Sequence, residues 1–215
     1  MAAVRVMIPA MAEATVMRCE AIDTHPDFRR LSAIEGVVVD LRYASERNFV
    51  GRDLYGALDC AWLHRLAAEG LAQAVARLAA TAPGHRLLVL DALRPHRVQI
   101  QLWDHLDGTD LRQYVADPAR GSIHSFGMAL DATVVDAAGR ELDMGSGFDE
   151  MTALSHPVLE QAHLASGILT PAQHANRLLL RDALHAAEFK GIDNEWWHFE
   201  MLDRQQVRQQ FMRVD

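Results

Sequence analysis

The chain has 215 residues, 50% of them hydrophobic, with 21 Lys+Arg against 29 Asp+Glu and a formal net charge of −8. That length supports one domain with a real core, and the composition is that of an ordinary soluble globular protein. The acidic balance argues against a nucleic-acid partner, whose phosphates call for a basic surface, and no apolar run approaches the ~20 residues needed to span a bilayer. Two cysteines, Cys19 and Cys60, are too few for a disulfide framework and read as buried thiols of a reducing compartment. No repeat, low-complexity tract or Pro/Gly-rich linker divides the sequence. Residues 1–215 therefore read as a single domain, with 1–33 an N-terminal extension of no definite pattern. MAAVRVMIPAMAEA at the start is only faintly like an export signal, because Pro9 interrupts its short apolar run. Cytoplasmic residence is expected.

In chain order, GVVVDLRYA (36–44) is β-branched and predicts a strand, and NFVGRDLYG (48–56) predicts a glycine-punctuated loop. Residues 57–82 carry Leu63, Leu66, Ala67, Leu71, Ala74, Val75 and Leu78 at steps of three and four, which predicts a helix stopped by Pro83-Gly84. HRLLVLDA (85–92) predicts a short strand. Pro95 suits the first turn of a helix running to about His105, and a further short helix is predicted at 109–116. Residues 117–127 read as a loop before a strand from Met128 to Asp136. Ala-Ala-Gly-Arg (137–140) reads as a hairpin turn and 142–157 as a long irregular loop. A helix at 175–189, ending near Gly191, and a strand at 195–202 complete the chain. These elements do not alternate as βαβ units. The expected fold is α+β, with a mainly antiparallel central sheet flanked by helices.

One stretch, GSIHSFGMALDATVVD (121–136), sets a problem. Asp131 stands inside a run that otherwise reads as buried strand, and a buried carboxylate is costly without a partner. Strand alternation places Asp131 on a face with Ala129 and Thr133, small residues that leave space, while Met128, Leu130, Ala132 and Val134 take the other face. His124 lies in the preceding loop, and Gly127 can act as the pivot that folds it back. NEWWHFE (194–200) adds Glu195 and His198. On a regular strand residues three apart point to opposite faces, so Glu195 must sit at a bend or before the strand proper if the two share a site. His124, Asp131 and His198 form a sound three-ligand set for a catalytic zinc with one position left for water. Zinc lowers the pKa of that water to roughly 7, and Glu195 can carry its proton to a leaving amine. Arg94, in DALRPHR (91–97), stands at a strand end where a fixed guanidinium could bond a tetrahedral oxyanion. Each residue alone has an ordinary explanation: Asp131 as the partner of an arginine, either histidine as a structural one, Glu195 as a cap, Arg94 as an ion pair. Of Trp196 and Trp197, at least one is expected in the core.

SIHSFGMALD resembles the SxHxxGxAxD signature of the D-alanyl-D-alanine dipeptidases, the VanX-like zinc peptidases, and NEWWHFE resembles their ExWH motif. DLRYASERNFVGR (40–52), DALRP (91–95), LDMGSGFDEM (142–151) and NRLLL (176–180) also look like family segments in the right order, so the resemblance covers about residues 36–202. It implies one zinc per chain, held by His124, Asp131 and His198. It also implies Glu195 as general base and acid, Arg94 as stabiliser of the tetrahedral intermediate, and substrate contacts at Tyr43, Ser122 and Asp149. Asp149 suits the substrate ammonium. The sequence departs from the pattern at Phe126, where members commonly have arginine, and at Ile123, where polar residues are usual. Hydrolysis is expected to survive these changes, with substrate preference or pocket shape altered. The short stretch between the last strand and Asp215 is expected to lack a segment that closes the pocket in relatives. The resulting expectation is a zinc dipeptidase acting on the small dipeptide D-Ala-D-Ala. One alternative is a zinc L,D- or D,D-carboxypeptidase acting on longer peptidoglycan stems. The other is a binding module without catalysis, against which the presence of Glu195 and Arg94 argues.

Overall fold

The computed structural model describes residues 16–215. In chain order the elements are β1 (Val16–Met17), β2 (Phe28–Arg30), β3 (Val38–Val39), β4 (Trp62–His64), α1 (Arg65–Thr81), β5 (Arg86–Asp91) and α2 (His96–His105). They continue with β6 (Ala129–Val135), α3 (Glu160–Ala165), α4 (Pro171–His185), β7 (Phe189–Gly191), β8 (His198–Met201), α5 (Arg204–Gln210) and β9 (Arg213–Val214). The class is α+β. The central five-stranded sheet has the order β3-β5-β6-β8-β7. It is mixed: β3 runs parallel to β5, and every other pairing is antiparallel.

β6 is the middle strand, and all seven of its residues are buried. Its alternation separates two environments. Leu130, Ala132 and Val134 join the core formed with Leu71 and Leu78 of α1 and with Leu180 and Leu184 of α4. Asp131 and Thr133 point the other way, as strand periodicity requires. A second apolar cluster contains Tyr43, Tyr55, Leu93, Val98 and Leu102. The ladder between β5 and β6 shifts register between Val89 and Asp91. That irregularity sets Asp91 directly across from Asp131, whose other neighbour in the sheet is His198. Bulges next to functional sites re-aim side chains in this way.

The structure corrects several element boundaries. The helix expected over 57–82 begins only at Arg65. Trp62–His64 instead pair with Phe28–Arg30, and the His64 Nδ1 caps α1 by accepting from the Leu66 N–H at 3.3 Å. The strand expected over 36–44 is reduced to Val38–Val39, after which Arg42–Ala44 form a 3-10 turn that carries Tyr43. The short helix expected at 109–116 is a 3-10 turn at Asp110–Tyr114. α4 starts earlier and ends earlier than expected. Thr170 and Gln173 form a capping box around Pro171, and the chain turns into β7 after His185. The last strand is shorter than 195–202 because Glu195, Trp196 and Trp197 precede the ladder. Both cysteines are free and buried, as expected. Within the stretch expected to be an N-terminal extension, β1 pairs in parallel with β9. The faint export-like segment lies outside the described residues. Among the described residues no helix is long and apolar enough to cross a membrane.

Candidate metal centre and its cavity

All eight residues singled out from the sequence line one cavity of about 160 Å³. At its floor, ligand atoms of His124, Asp131 and His198 lie within 4.8 Å of one another. His198 Nδ1 is 2.9 Å from Asp131 Oδ1, and His124 Nε2 is 3.1 Å from His198 Nδ1 and 3.4 Å from the same Asp131 oxygen. All three side chains are buried. Two imidazole nitrogens and a carboxylate oxygen converging on one point is a donor set that can hold a metal ion with a position left open. The local backbone explains the convergence. His124 sits in a 3-10 turn, Ile123–Phe126, that ends at Gly127 with φ of 64°. A Cβ at Gly127 would stand 2.7 Å from the His64 backbone nitrogen, so this tight reversal needs glycine.

Each imidazole is oriented by its second nitrogen. His124 Nδ1 is 2.8 Å from the Ala92 carbonyl, to which it donates when Nε2 serves as the ligand atom. His198 Nε2 is 2.8 Å from Glu200 Oε1, and the Arg204 Nε donates to the other Glu200 oxygen at 2.6 Å. This is the carboxylate–histidine arrangement that fixes tautomer and ring plane in metal sites. Burial disfavours charge on His198, yet its bonds to Asp131 and Glu200 outweigh that and push it up to about 10. Burial also opposes the charge on Asp131, but the two histidines hold its carboxyl far below the usual range. Glu200, opposed by burial but bonded to His198 and Arg204, falls to about 2. Glu200 and Arg204 were not singled out from the sequence. The available signal was His-Phe-Glu: residues two apart on a strand share a face.

Arg94 is buried, and each of its three nitrogens has a partner. Its Nε donates to Asp91 at 2.9 Å, one terminal nitrogen to Gln99 at 3.1 Å, and the other lies 3.4 Å from Asp131. The Tyr55 hydroxyl donates to the other Asp91 oxygen, and the Arg94 guanidinium stacks 4.8 Å over the Tyr43 ring. The Tyr43 hydroxyl donates to Asp149 Oδ1 at 3.1 Å. Asp149 has φ of 59°, a left-handed conformation tolerated best by Gly, Asn and Asp. Its Oδ2 is buried with no partner. Burial and the like charges of Asp131 and Glu195 raise its pKa well above the ordinary carboxylate range, Arg94 notwithstanding. A cation in the cavity would relieve that position.

Glu195 lies just before β8, as two residues three apart on one site require, and its Oε2 is 4.0 Å from His198 Nδ1. Burial pushes it up to about 7, against the opposing pull of His198. Ser122 is buried at the start of the histidine turn. Trp197 lines the cavity, whereas Trp196 donates its indole N–H to Ser146 at 3.0 Å and packs under Arg177. The two departures from the dipeptidase pattern differ in position. Ile123 lines the cavity, while Phe126 belongs to the helix-side core and does not line it. The stretch after β8 also contributes to the wall, because Arg204 and Arg208 of α5 line the cavity.

A metal-competent donor triangle beside a buried glutamate of raised pKa, on an α+β sheet, defines the class of a metallopeptidase. The family model of the M15 peptidases, described as D-Ala-D-Ala dipeptidase, matches residues 29–215, and the chain belongs to that family. It is 39% identical over 163 residues to the D-alanyl-D-alanine dipeptidase of Escherichia coli K12, covering 76% of this chain and 78% of that protein. The D-alanyl-D-alanine dipeptidases of Enterococcus faecium and Enterococcus faecalis V583 are 32% and 29% identical, each across 79% of this chain and 88% of their own length.

Proposed function

We propose that this protein is a cytoplasmic zinc dipeptidase, working as one catalytic domain with one zinc per chain, that hydrolyses D-Ala-D-Ala to two D-alanines. The observation that carries this reading is the convergence of His124, Asp131 and His198 in a small cavity that also holds Glu195. The dipeptidase names of the relatives supply the substrate class.

His124, Asp131 and His198 would hold the metal, and Ala92 and Glu200 keep the imidazoles in the ligating tautomer. When bound, zinc supplies Lewis-acid polarisation of the scissile carbonyl and a water of lowered pKa. The chain's own groups do the rest. Asp149 receives the substrate ammonium on its partnerless Oδ2, while Tyr43 holds the other oxygen. Burial raises the proton affinity of Glu195 in the metal-free site, which suits a group that both takes and gives a proton. Glu195 takes a proton from the attacking water and delivers it to the amine nitrogen as the C–N bond breaks. Arg94, held by Asp91 and Gln99, donates to the oxygen of the tetrahedral intermediate without needing to reorient. Ser122 offers a hydroxyl to the substrate from the histidine turn.

The cavity of about 160 Å³ is small against the ~300–1,000 Å³ of ordinary ligand sites. A peptide extended at its N-terminus would carry no free ammonium to Asp149 and would leave that carboxylate unpaired. The test is turnover of D-Ala-D-Ala by purified protein, with and without a chelator, beside Glu195→Ala. Activity that a chelator abolishes and Glu195→Ala lowers by at least ~10³-fold is expected. Full activity of Glu195→Ala would sink the mechanism. Faster cleavage of N-acylated D-Ala-D-Ala than of the free dipeptide would favour the carboxypeptidase reading instead.

A further inference from the structure

The three arginines that line the cavity keep different company. Arg94 is bonded to Asp91, Gln99 and Asp131. Arg204 is bonded to Glu200. Arg208, one helical turn after Arg204 on α5, donates its Nε to the Gly121 carbonyl at 3.1 Å and has no carboxylate partner among the described residues. Its fork is thus anchored at one edge, and neither terminal nitrogen has a hydrogen-bond partner among the described residues. Gly121 directly precedes Ser122, and Arg208 and Ser122 both line the cavity. The charge around Arg208 is basic in excess. Burial lowers the Arg208 pKa, and the nearby Arg204 and Arg120 lower it further, with Glu200 and Asp203 opposing. The rest of the cavity is acidic, through Asp131, Asp149, Glu195 and Glu200.

We propose that Arg208 is the clamp for the substrate's free α-carboxylate: its two terminal nitrogens grip that group bidentately, with Ser122 alongside, while Asp149 takes the ammonium. This deepens the dipeptidase reading and rests on it for the identity of the substrate. A guanidinium fork matches a carboxylate in two parallel hydrogen bonds, which a lysine cannot reproduce. An extended dipeptide spans only roughly 7 Å. A site that meets both of its charges therefore selects for length as well as for charge. It also gives α5, the element after the last sheet strand, a role in specificity.

The experiment compares D-Ala-D-Ala with its C-terminal amide, which lacks the anionic carboxylate, in wild type, Arg208→Lys and Arg208→Met. Wild type is expected to prefer the free acid by about 100-fold in kcat/KM, the effect of a charge-assisted bidentate pair. In Arg208→Met that ratio falls to near 1, chiefly through KM on the acid, and Arg208→Lys is intermediate. Equal losses on acid and amide, with the ratio kept, would overturn the clamp. Calorimetric binding of the same two compounds to the zinc-loaded Glu195→Gln protein, with and without Arg208→Met, separates this from the dipeptidase reading. An inactive wild type whose Glu195→Gln form still binds the acid in an Arg208-dependent way would defeat that reading and keep the clamp. Acid binding indifferent to Arg208, or no binding of either compound, would overturn the clamp.

Discussion

Glu195 shows what burying a carboxyl group in the cavity costs the fold. Burial holds its pKa at about 7 against an ordinary value of 4.5. The folded state therefore binds this proton more tightly than the unfolded state does. Stability from the group is fully present below pH 4.5 and is lost as pH rises through 7. The difference is about 3 kcal/mol at pH 8. Glu195→Gln, which has no charge to bury, is expected to unfold at a higher temperature than wild type at pH 8 and at nearly the same temperature at pH 4, in metal-free protein. Thermal unfolding across that range checks it, and a pH-independent gap would reject the burial argument. Asp131 was legible in the sequence as a carboxylate in an apolar strand, and His124, His198 and Glu195 as parts of SIHSFGMALD and NEWWHFE, which resemble a dipeptidase signature. Glu200 and Asp91 were not. Glu200 matters only because it shares a strand face with His198, and Asp91 only because a register shift sets it opposite Asp131.

Among the elements, the turn at Ile123–Phe126 does the positioning, and its closure depends on Gly127. Gly127→Ala forces a Cβ into the left-handed region, at about 1–2 kcal/mol. It also drives that Cβ to 2.7 Å from the His64 backbone nitrogen, which a flexible side chain cannot relieve. A loss of more than ~2 kcal/mol in urea unfolding is expected, together with weakened metal binding, since His124 must move. A loss of only a few tenths would show that the turn can relax. Pattern reading succeeded for β5, α2 and β6, whose apolar runs and flanking Pro or Gly residues are local signals. It failed where partners are distant in sequence. Trp62–His64 continue the apolar spacing of α1, and only pairing with Phe28–Arg30 makes them a strand. Tyr43 follows a β-branched run, but the chain leaves the sheet at Val39 because its Leu54 and Tyr55 amides bond to the Tyr43 carbonyl instead.

Across the whole molecule, the three metal-competent donors come from separate parts of the chain: the histidine turn, β6 and β8. A cation shared by them cross-links these segments, so metal binding, protonation and stability are coupled. The protein's own groups hold His198 charged up to about 10, through Asp131 and Glu200. The stability contributed by that proton in metal-free protein is present below the ordinary histidine value of 6.5 and lost as pH rises through about 10. A metal accepts only the neutral ring, so at pH 7 to 9 its binding must displace this proton. Apparent zinc affinity is expected to rise at least about tenfold per pH unit in that range, with at least one proton released per zinc, to which Glu195 and the water of lowered pKa add. Calorimetric titration of metal-free protein with zinc, in pairs of buffers of different ionisation enthalpy, reads both quantities. Binding that releases no proton at pH 8 would mean that His198 is already neutral there, and that Asp131 and Glu200 orient the ring without charging it.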